Sequence, residues 1–317
     1  MDRVTLTADG PEVSVLGIGC NNFGHNPFGT FLDYSESRAV VDAALAAGVT
    51  AFDTADVYAE GESEEHLGRA LQGHRDGVVI ATKWGYPMPA APAVPHGREE
   101  YVRWALEGSL RRLRTDRVDL FVLHRADPET PIDETLGVVA ELVAEGKVGR
   151  FGTSMSSVTE LEAAAAARTA RPELPAVATC MFHYNLLHRD PDADVVPACA
   201  RLGVTVLPFF PLENGLLTGK YARASVEEGR LREQLADVGD ATWTRLDALR
   251  AFADERGATL LQVALGGLAR LPGVGPIFAG ATRPEQVTAN AAAIAWRPSE
   301  EDLAELGRLT LLRGTGE

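Results

Sequence analysis

The chain predicts a single (β/α)8 barrel with an N-terminal β-hairpin and a C-terminal extra helix, spanning residues 1–317 as one domain. Three observations lead there. Eight short apolar runs rich in β-branched residues alternate with eight stretches of helical pattern. Several helical stretches open on Ser, Thr, Asp or Pro and several close on Gly. Finally, 317 residues with 45% hydrophobic side chains suffice for one large core. Regular alternation implies parallel strands joined by right-handed crossovers, and eight such units close most naturally into a barrel.

In chain order, residues 3–16 (RVTLTADGPEVSVL) read as two strands about the turn signal ADGP. The barrel strands follow as VSVLGIGC, VTAFDT, VVIATK, VDLFVLH, KVGRFGTS, PAVATCM, VTVLPFF and VGPIFAG. Between them lie SESRAVVDAALAAG, SEEHLGRALQG, EEYVRWALEGSLRRLR, PIDETLGVVAELVAEG, SSVTELEAAAAARTA, DADVVPACARLG and TWTRLDALRAFADERG, and TRPEQVTANAAAIA follows the last strand. SEEDLAELGRL is the appended helix and YPMPAAPAVPHG a loop. Residues 213–240 are too long for an ordinary strand-to-helix loop and are expected to cover the active-site face.

Composition narrows the function. A formal net charge of −15 argues against nucleic acid or an anionic membrane as the main partner. With no apolar run near membrane-spanning length and no signal-like leader, the expectation is a soluble, cytoplasmic protein of open oligomeric state. Cys20, Cys180 and Cys199 have no metal-like spacing and read as free thiols, and no metal site is predicted.

In a barrel of this kind, chemistry sits at the carboxyl ends of the strands. Asp53, Tyr58, Lys83 and His124 belong to three successive strand ends. A phenol titrates near ~10 and needs help to exchange a proton near neutrality. Lys83 supplies a positive charge favouring the phenolate, Asp53 pairs with Lys83, and His124 orients a carbonyl oxygen. This set suits proton transfer to an oxygen becoming an alkoxide, which is half of a carbonyl reduction. The other half is a hydride, which no side chain provides, so a nicotinamide cofactor is implied.

The motifs LGIGCNNFG, FDTADVYAEGESEEHLGRAL, VVIATKWG, GSLRRLRTDRVDLFVLHRADPETPIDETLGVVAELVAEGKVGRFGTS, YNLLHR, PLENGLLTGKY and GATRPEQVTAN resemble those of the aldo-keto reductase superfamily from about Val13 to Leu309. The resemblance implies a catalytic tetrad of Asp53, Tyr58, Lys83 and His124. It also implies cofactor contacts from Gly19, Cys20, Asn21 and Asp53, and from Ser154, Met155 and Met181 around the nicotinamide amide. Phe209 would stack on the nicotinamide. Pyrophosphate contacts fall on Pro211, Leu212, Gly215, Leu217, Gly219 and Lys220, and adenosine-phosphate contacts on Gly280, Thr282, Arg283, Gln286 and Asn290. Arg283 and Gln286 favour NADP(H) over NAD(H), since a guanidinium pairs bidentately with phosphate.

The chain departs from the family's pattern at Met155 and Met181, where Asn and Gln are usual, and at Phe210 in place of Ser. A thioether is a weak acceptor and no donor. Phe23, Trp84, His124 and His183 are the expected substrate contacts, suiting a mid-sized neutral aldehyde, ketone or keto sugar. Asp56 reads as a cap or polar loop residue, Glu60, Glu62, Glu64 and Glu65 as a solvated helix start, and Arg111 and Arg112 as outer-helix charges. Two other readings stand beside the reductase. One is a Schiff-base aldolase acting through Lys83. The other is a reductase-fold binding or regulatory subunit with little turnover, which the two methionines favour.

Overall fold

The computed structural model describes residues 1–7, 10–25, 31–223 and 238–311. The tip of the predicted hairpin at 8–9 and the central part of the 213–240 stretch, 224–237, lie outside them.

Strands β1 (Arg3–Thr5) and β2 (Glu12–Ser14) pair antiparallel, as the ADGP signal predicts. The barrel strands are β3 (Leu16–Gly19), β4 (Ala51–Asp53), β5 (Val79–Trp84), β6 (Val118–Leu123), β7 (Val148–Ser154), β8 (Val177–His183), β9 (Thr205–Phe209) and β10 (Ile277–Gly280). All neighbours run parallel, in the spatial order β10-β3-β4-β5-β6-β7-β8-β9. Between β9 and β10 the ring closes through backbone bonds from Val206 to Gly273 and from Gly275 to Val206, both 2.9 Å.

Around the sheet lie α1 (Tyr34–Ala46), α2 (Glu62–Ala70), α3 (Glu99–Leu113), α4 (Ile132–Ala144), α5 (Val158–Ala170), α6 (Val195–Leu202), α7 (Asp240–Glu255), α8 (Leu260–Leu268), α9 (Pro284–Ala293) and α10 (Glu300–Leu311). Capping boxes start α1 at Asp33 with Glu36 and α5 at Ser157 with Glu160, each satisfying two otherwise unpaired N–H groups. The sequence reading did not recognise α8. Buried almost throughout from Leu260 to Leu268, it has no polar face to give a helical period. Its capping box, Thr259 with Gln262, was the available signal.

Two apolar layers result from the two-residue period of the strands. Ala51, Val79, Ala81, Leu120, Val122, Met181, Leu207 and Phe278 fill the barrel interior, joined by Leu6 and Val13 from the hairpin region. Leu16, Ile18, Phe52, Ile80, Trp84, Phe121, Phe151, Cys180 and Phe182 belong to the larger outer layer, where the sheet meets the helices.

Candidate active site

Strand parity selects the groups of the barrel mouth. Ala51 is an interior residue and Phe52 an outer one, so Asp53 returns to the interior. The same alternation through Val79, Ile80 and Ala81 brings Lys83 inward, and through Leu120, Phe121 and Val122 it brings His124 inward. Tyr58 comes from the loop after β4, in a short 3-10 turn at Tyr58–Gly61. That loop is pinned to β5 by Thr54 N–H on the Ala81 carbonyl (2.9 Å) and Asp56 N–H on the Lys83 carbonyl (3.1 Å).

The four groups converge. Lys83 Nζ donates to Asp53 Oδ2 at 2.7 Å, to the Thr54 carbonyl at 2.8 Å and to Tyr58 Oη at 3.2 Å. Burial disfavours the ammonium, but the charges and hydrogen bonds of Asp53 and Tyr58 together outweigh it and the Lys83 pKa is raised. A lysine so held is a cation and a poor amine nucleophile, which removes the basis of the Schiff-base reading. For Tyr58, burial raises the pKa more than Lys83 lowers it, so the net direction is up. The ammonium does favour the phenolate, as expected, but burial outweighs it, so near neutrality the phenol holds its proton. Its oxygen accepts from Lys83, leaving the O–H free to donate.

His124 packs edge-on against Tyr58 (5.9 Å between centroids) and against Tyr86 (4.7 Å, 88°). Burial and then the Lys83 charge lower its pKa to about 3, so the imidazole is neutral. Its Nδ1 is buried without a hydrogen-bond partner among the described residues, which leaves Nε2 as the ring atom for a bound carbonyl oxygen.

Several predicted contacts are not presented to the mouth. Trp84 and Phe23 are fully buried in the outer layer; Trp84 stacks on Phe121 and donates through Nε1 to the His96 carbonyl. Cys20 is also buried there, its N–H on Asp53 and its carbonyl taken by Phe23 N–H and Ser63 Oγ. The Leu217 side chain is fully buried in a second cluster with Trp243 and Leu246. For Trp84 and Cys20 one rule applies, a parity opposite to that of the site; Phe23 lies past the end of β3, in a turn where its N–H meets the Cys20 carbonyl at 3.0 Å. Asp56 is not an open loop residue either. It is 1% exposed, and neither carboxylate oxygen has a side-chain hydrogen-bond partner among the described residues. Burial and then the neighbouring Glu64 raise its pKa to about 8. Glu64 is buried as well, taking Arg112 Nε at 2.7 Å and Thr82 Oγ1 at 2.5 Å, so neither Glu64 nor Arg112 is a solvated surface charge.

Most of the other expected cofactor contacts follow the strand ends from β7 through β10 to β3. Ser154 is buried at the end of β7, and Met155 beside it is 51% exposed with φ +54°. Met181 is buried inside the barrel. Phe209 stacks on His183 (5.8 Å, 17°), whose other face lies on His188 (4.1 Å, 5°). His183 Nε2–H donates to Glu213 Oε2 at 2.7 Å, and Asn185 Nδ2 reaches the same oxygen at 2.6 Å. Burial pushes Glu213 up, but these hydrogen bonds prevail and its pKa is lowered. Pro211 is buried, and Leu212, Gly215 and Gly219 belong to a tight segment with left-handed backbone at Gly215 and Gly219. Lys220 is exposed with its ammonium over the Tyr221 ring, and Arg283 is exposed at the start of α9. Neither has a carboxylate partner among the described residues. Gln286 Oε1 accepts from Thr282 N at 2.7 Å, Asn290 is buried, and Gly19 and Asn21 flank Gly280. Sequence reasoning missed Tyr86, Arg125 and Glu213; Tyr86 and Arg125 each follow a tetrad residue closely in the chain.

Comparison with known proteins agrees with this geometry. The profile described as the Aldo/keto reductase family matches residues 15–310. A probable aldo-keto reductase 1 of Glycine max is 33% identical over 313 residues, covering 96% of this chain and 87% of that protein. A probable voltage-gated potassium channel subunit beta of Oryza sativa subsp. japonica is 32% identical over 307 residues, covering 93% and 91%. Among solved structures, an aldo/keto reductase from Klebsiella pneumoniae in complex with NADP and acetate superposes with a TM-score of 0.73 at 30% identity, covering 98% of this chain and 96% of that one.

Proposed function

The chain belongs to the aldo/keto reductase family, and from that premise we propose that it is an NADPH-preferring oxidoreductase interconverting a carbonyl and an alcohol, with Tyr58 as general acid and base. The observation that carries the reading is the single ammonium of Lys83 shared between Asp53 Oδ2 at 2.7 Å and Tyr58 Oη at 3.2 Å.

The residues present fit a nicotinamide dinucleotide. Lys220 and Arg283 offer cations without carboxylate partners among the described residues, and Phe209 offers an aromatic face beside buried Ser154. Arg283 is the residue that would recognise an additional phosphate on the adenosine. When bound, the reduced nicotinamide supplies the hydride. The chain's own part is the proton. His124 Nε2–H and Tyr58 O–H both donate to the carbonyl oxygen, orienting it and stabilising charge as it develops. Tyr58 then gives up its proton, and Lys83, fixed by Asp53 and the Thr54 carbonyl, stabilises the phenolate left behind.

Tyr58→Phe tests this, because it retains the ring and its packing and removes only the oxygen. Turnover of NADPH with aldehydes and ketones should fall by about 10² to 10⁴-fold with cofactor affinity nearly unchanged. Wild-type turnover in a folded Tyr58→Phe variant would sink the assignment. A second reading, a binding subunit with little turnover, draws on the channel-subunit relative and on Met155 and Met181. It predicts NADPH binding by fluorescence titration with no turnover of any carbonyl by the wild type.

A further inference from the structure

We propose that Arg125 forms an anion subsite at the barrel mouth, so that the preferred substrate is a carbonyl compound carrying a carboxylate or phosphate a few atoms from the reacting carbon. The proposal rests on the reductase reading and goes beyond it, replacing the neutral carbonyl that the aromatic content of the rim had suggested.

Position makes the first argument. Arg125 directly follows His124, and its guanidinium lies over the Tyr86 ring at 5.5 Å from the centroid. The His124 ring meets the same Tyr86 ring edge-on at 4.7 Å. The guanidinium and the carbonyl-orienting imidazole are therefore two neighbours of one aromatic ring, near enough for one small molecule to touch both.

Charge makes the second. Arg125 is exposed and has no carboxylate partner among the described residues of a chain with net charge −15. The nearby carboxylate of Asp127 is occupied, with Oδ2 taking Gly97 N–H (2.6 Å) and Thr130 Oγ1 (2.8 Å) and Oδ1 taking Glu129 N–H (2.9 Å). The Arg125 backbone is held by contact of its carbonyl with His96 Nε2 at 3.1 Å. An arginine with a fixed backbone and its guanidinium on an aromatic ring is ordered before a ligand arrives.

Topology makes the third. The cations suited to the cofactor's phosphates, Lys220 and Arg283, follow β9 and β10. Arg125 follows β6, which the ring order places opposite β10. A cofactor lying along β7 to β10 leaves Arg125 on the free side of the mouth, where the substrate enters.

Steady-state kinetics with NADPH on matched pairs decides it: succinic semialdehyde against butanal for a carboxylate, and glyceraldehyde 3-phosphate against glyceraldehyde for a phosphate. The wild type should show a lower KM for the anionic member of at least one pair, and the pair that shows it identifies the anion. Arg125→Gln should raise that KM about 10 to 100-fold with kcat little changed, leave the neutral member unaffected, and be partly rescued by Arg125→Lys. Equal effects on charged and neutral members, or no effect on either, with the wild type active, would overturn the subsite and spare the reductase reading. A wild type inactive on all four compounds that still binds NADPH would overturn both.

Discussion

Met155 carries a cost at the scale of one residue. Its φ of +54° lies in the left-handed region, where a side chain such as methionine is penalised by about 1 to 2 kcal/mol and asparagine by less. Half of the side chain is exposed, so little packing offsets the strain. The backbone thus keeps the turn that suits Asn while the chain supplies Met. Met155→Asn is expected to stabilise the fold by roughly 1 kcal/mol in denaturant titrations. By adding one amide hydrogen bond, worth about 1 kcal/mol, it should also tighten NADPH binding about fivefold. Unchanged stability and affinity would show that the strain is relieved elsewhere. At this scale the sequence was legible where function repeats strand parity. Asp53, Lys83 and His124 follow from counting twos along strands whose interior residues are apolar. Trp84 was misjudged because nearness in sequence to Lys83 was taken for nearness in space. On a strand, the next residue faces the opposite layer.

The contact between α2 and α3 is the element on which the tyrosine loop rests. α2 begins at Glu62, directly after the turn that holds Tyr58, and Glu64 in its first turn is buried against Arg112 of α3 and Thr82 of β5. The two helices approach closely at Gly68, where a Cβ would lie 2.4 Å from the Leu113 carbonyl oxygen. Arg112→Ala leaves Glu64 buried without its cation and should cost about 3 to 5 kcal/mol. Glu64→Gln, which keeps a hydrogen-bonding side chain of similar shape, should cost less. Chemical denaturation of the two variants measures the order, and a milder effect for Arg112→Ala would refute it. In sequence, the run of glutamates looked like a helix start suited to solvent. That reading holds for Glu65, which is exposed, and fails for Glu64, because charges on one helix become a buried pair only once a second helix is in place. Nothing in the local pattern announces that partner. α8 escaped notice for a related reason: tertiary burial on all sides removes the amphipathic period by which helices are read.

For the molecule as a whole, the barrel imposes a pH profile through two buried groups with opposite shifts. The His124 pKa falls from 6.5 to about 3, so between those values the unfolded chain binds a proton that the folded chain does not, and stability rises with pH. The Asp56 pKa rises from 3.8 to about 8, so between those values the folded chain keeps a proton that the unfolded chain has lost, and stability falls as pH rises. Each slope is at most about 1.4 kcal/mol per pH unit. From 3.8 to 6.5 the two cancel, and above 6.5 only the Asp56 contribution continues until its carboxyl ionises in the fold near 8. The outcome expected is a stability that declines by about 2 kcal/mol between pH 6.5 and 8, although the site chemistry is intact across that range. Asp56→Asn keeps a neutral side chain of the same shape at every pH, so it should flatten the decline and equal or exceed the wild type in stability at pH 8. Denaturant titrations at half-unit intervals from pH 6 to 8.5 give both curves. If they run parallel, Asp56 is ionised in the fold throughout. The burial of Asp56 beside buried Glu64 speaks against that, since a carboxylate desolvated next to a like charge is the form that the barrel has least means to stabilise.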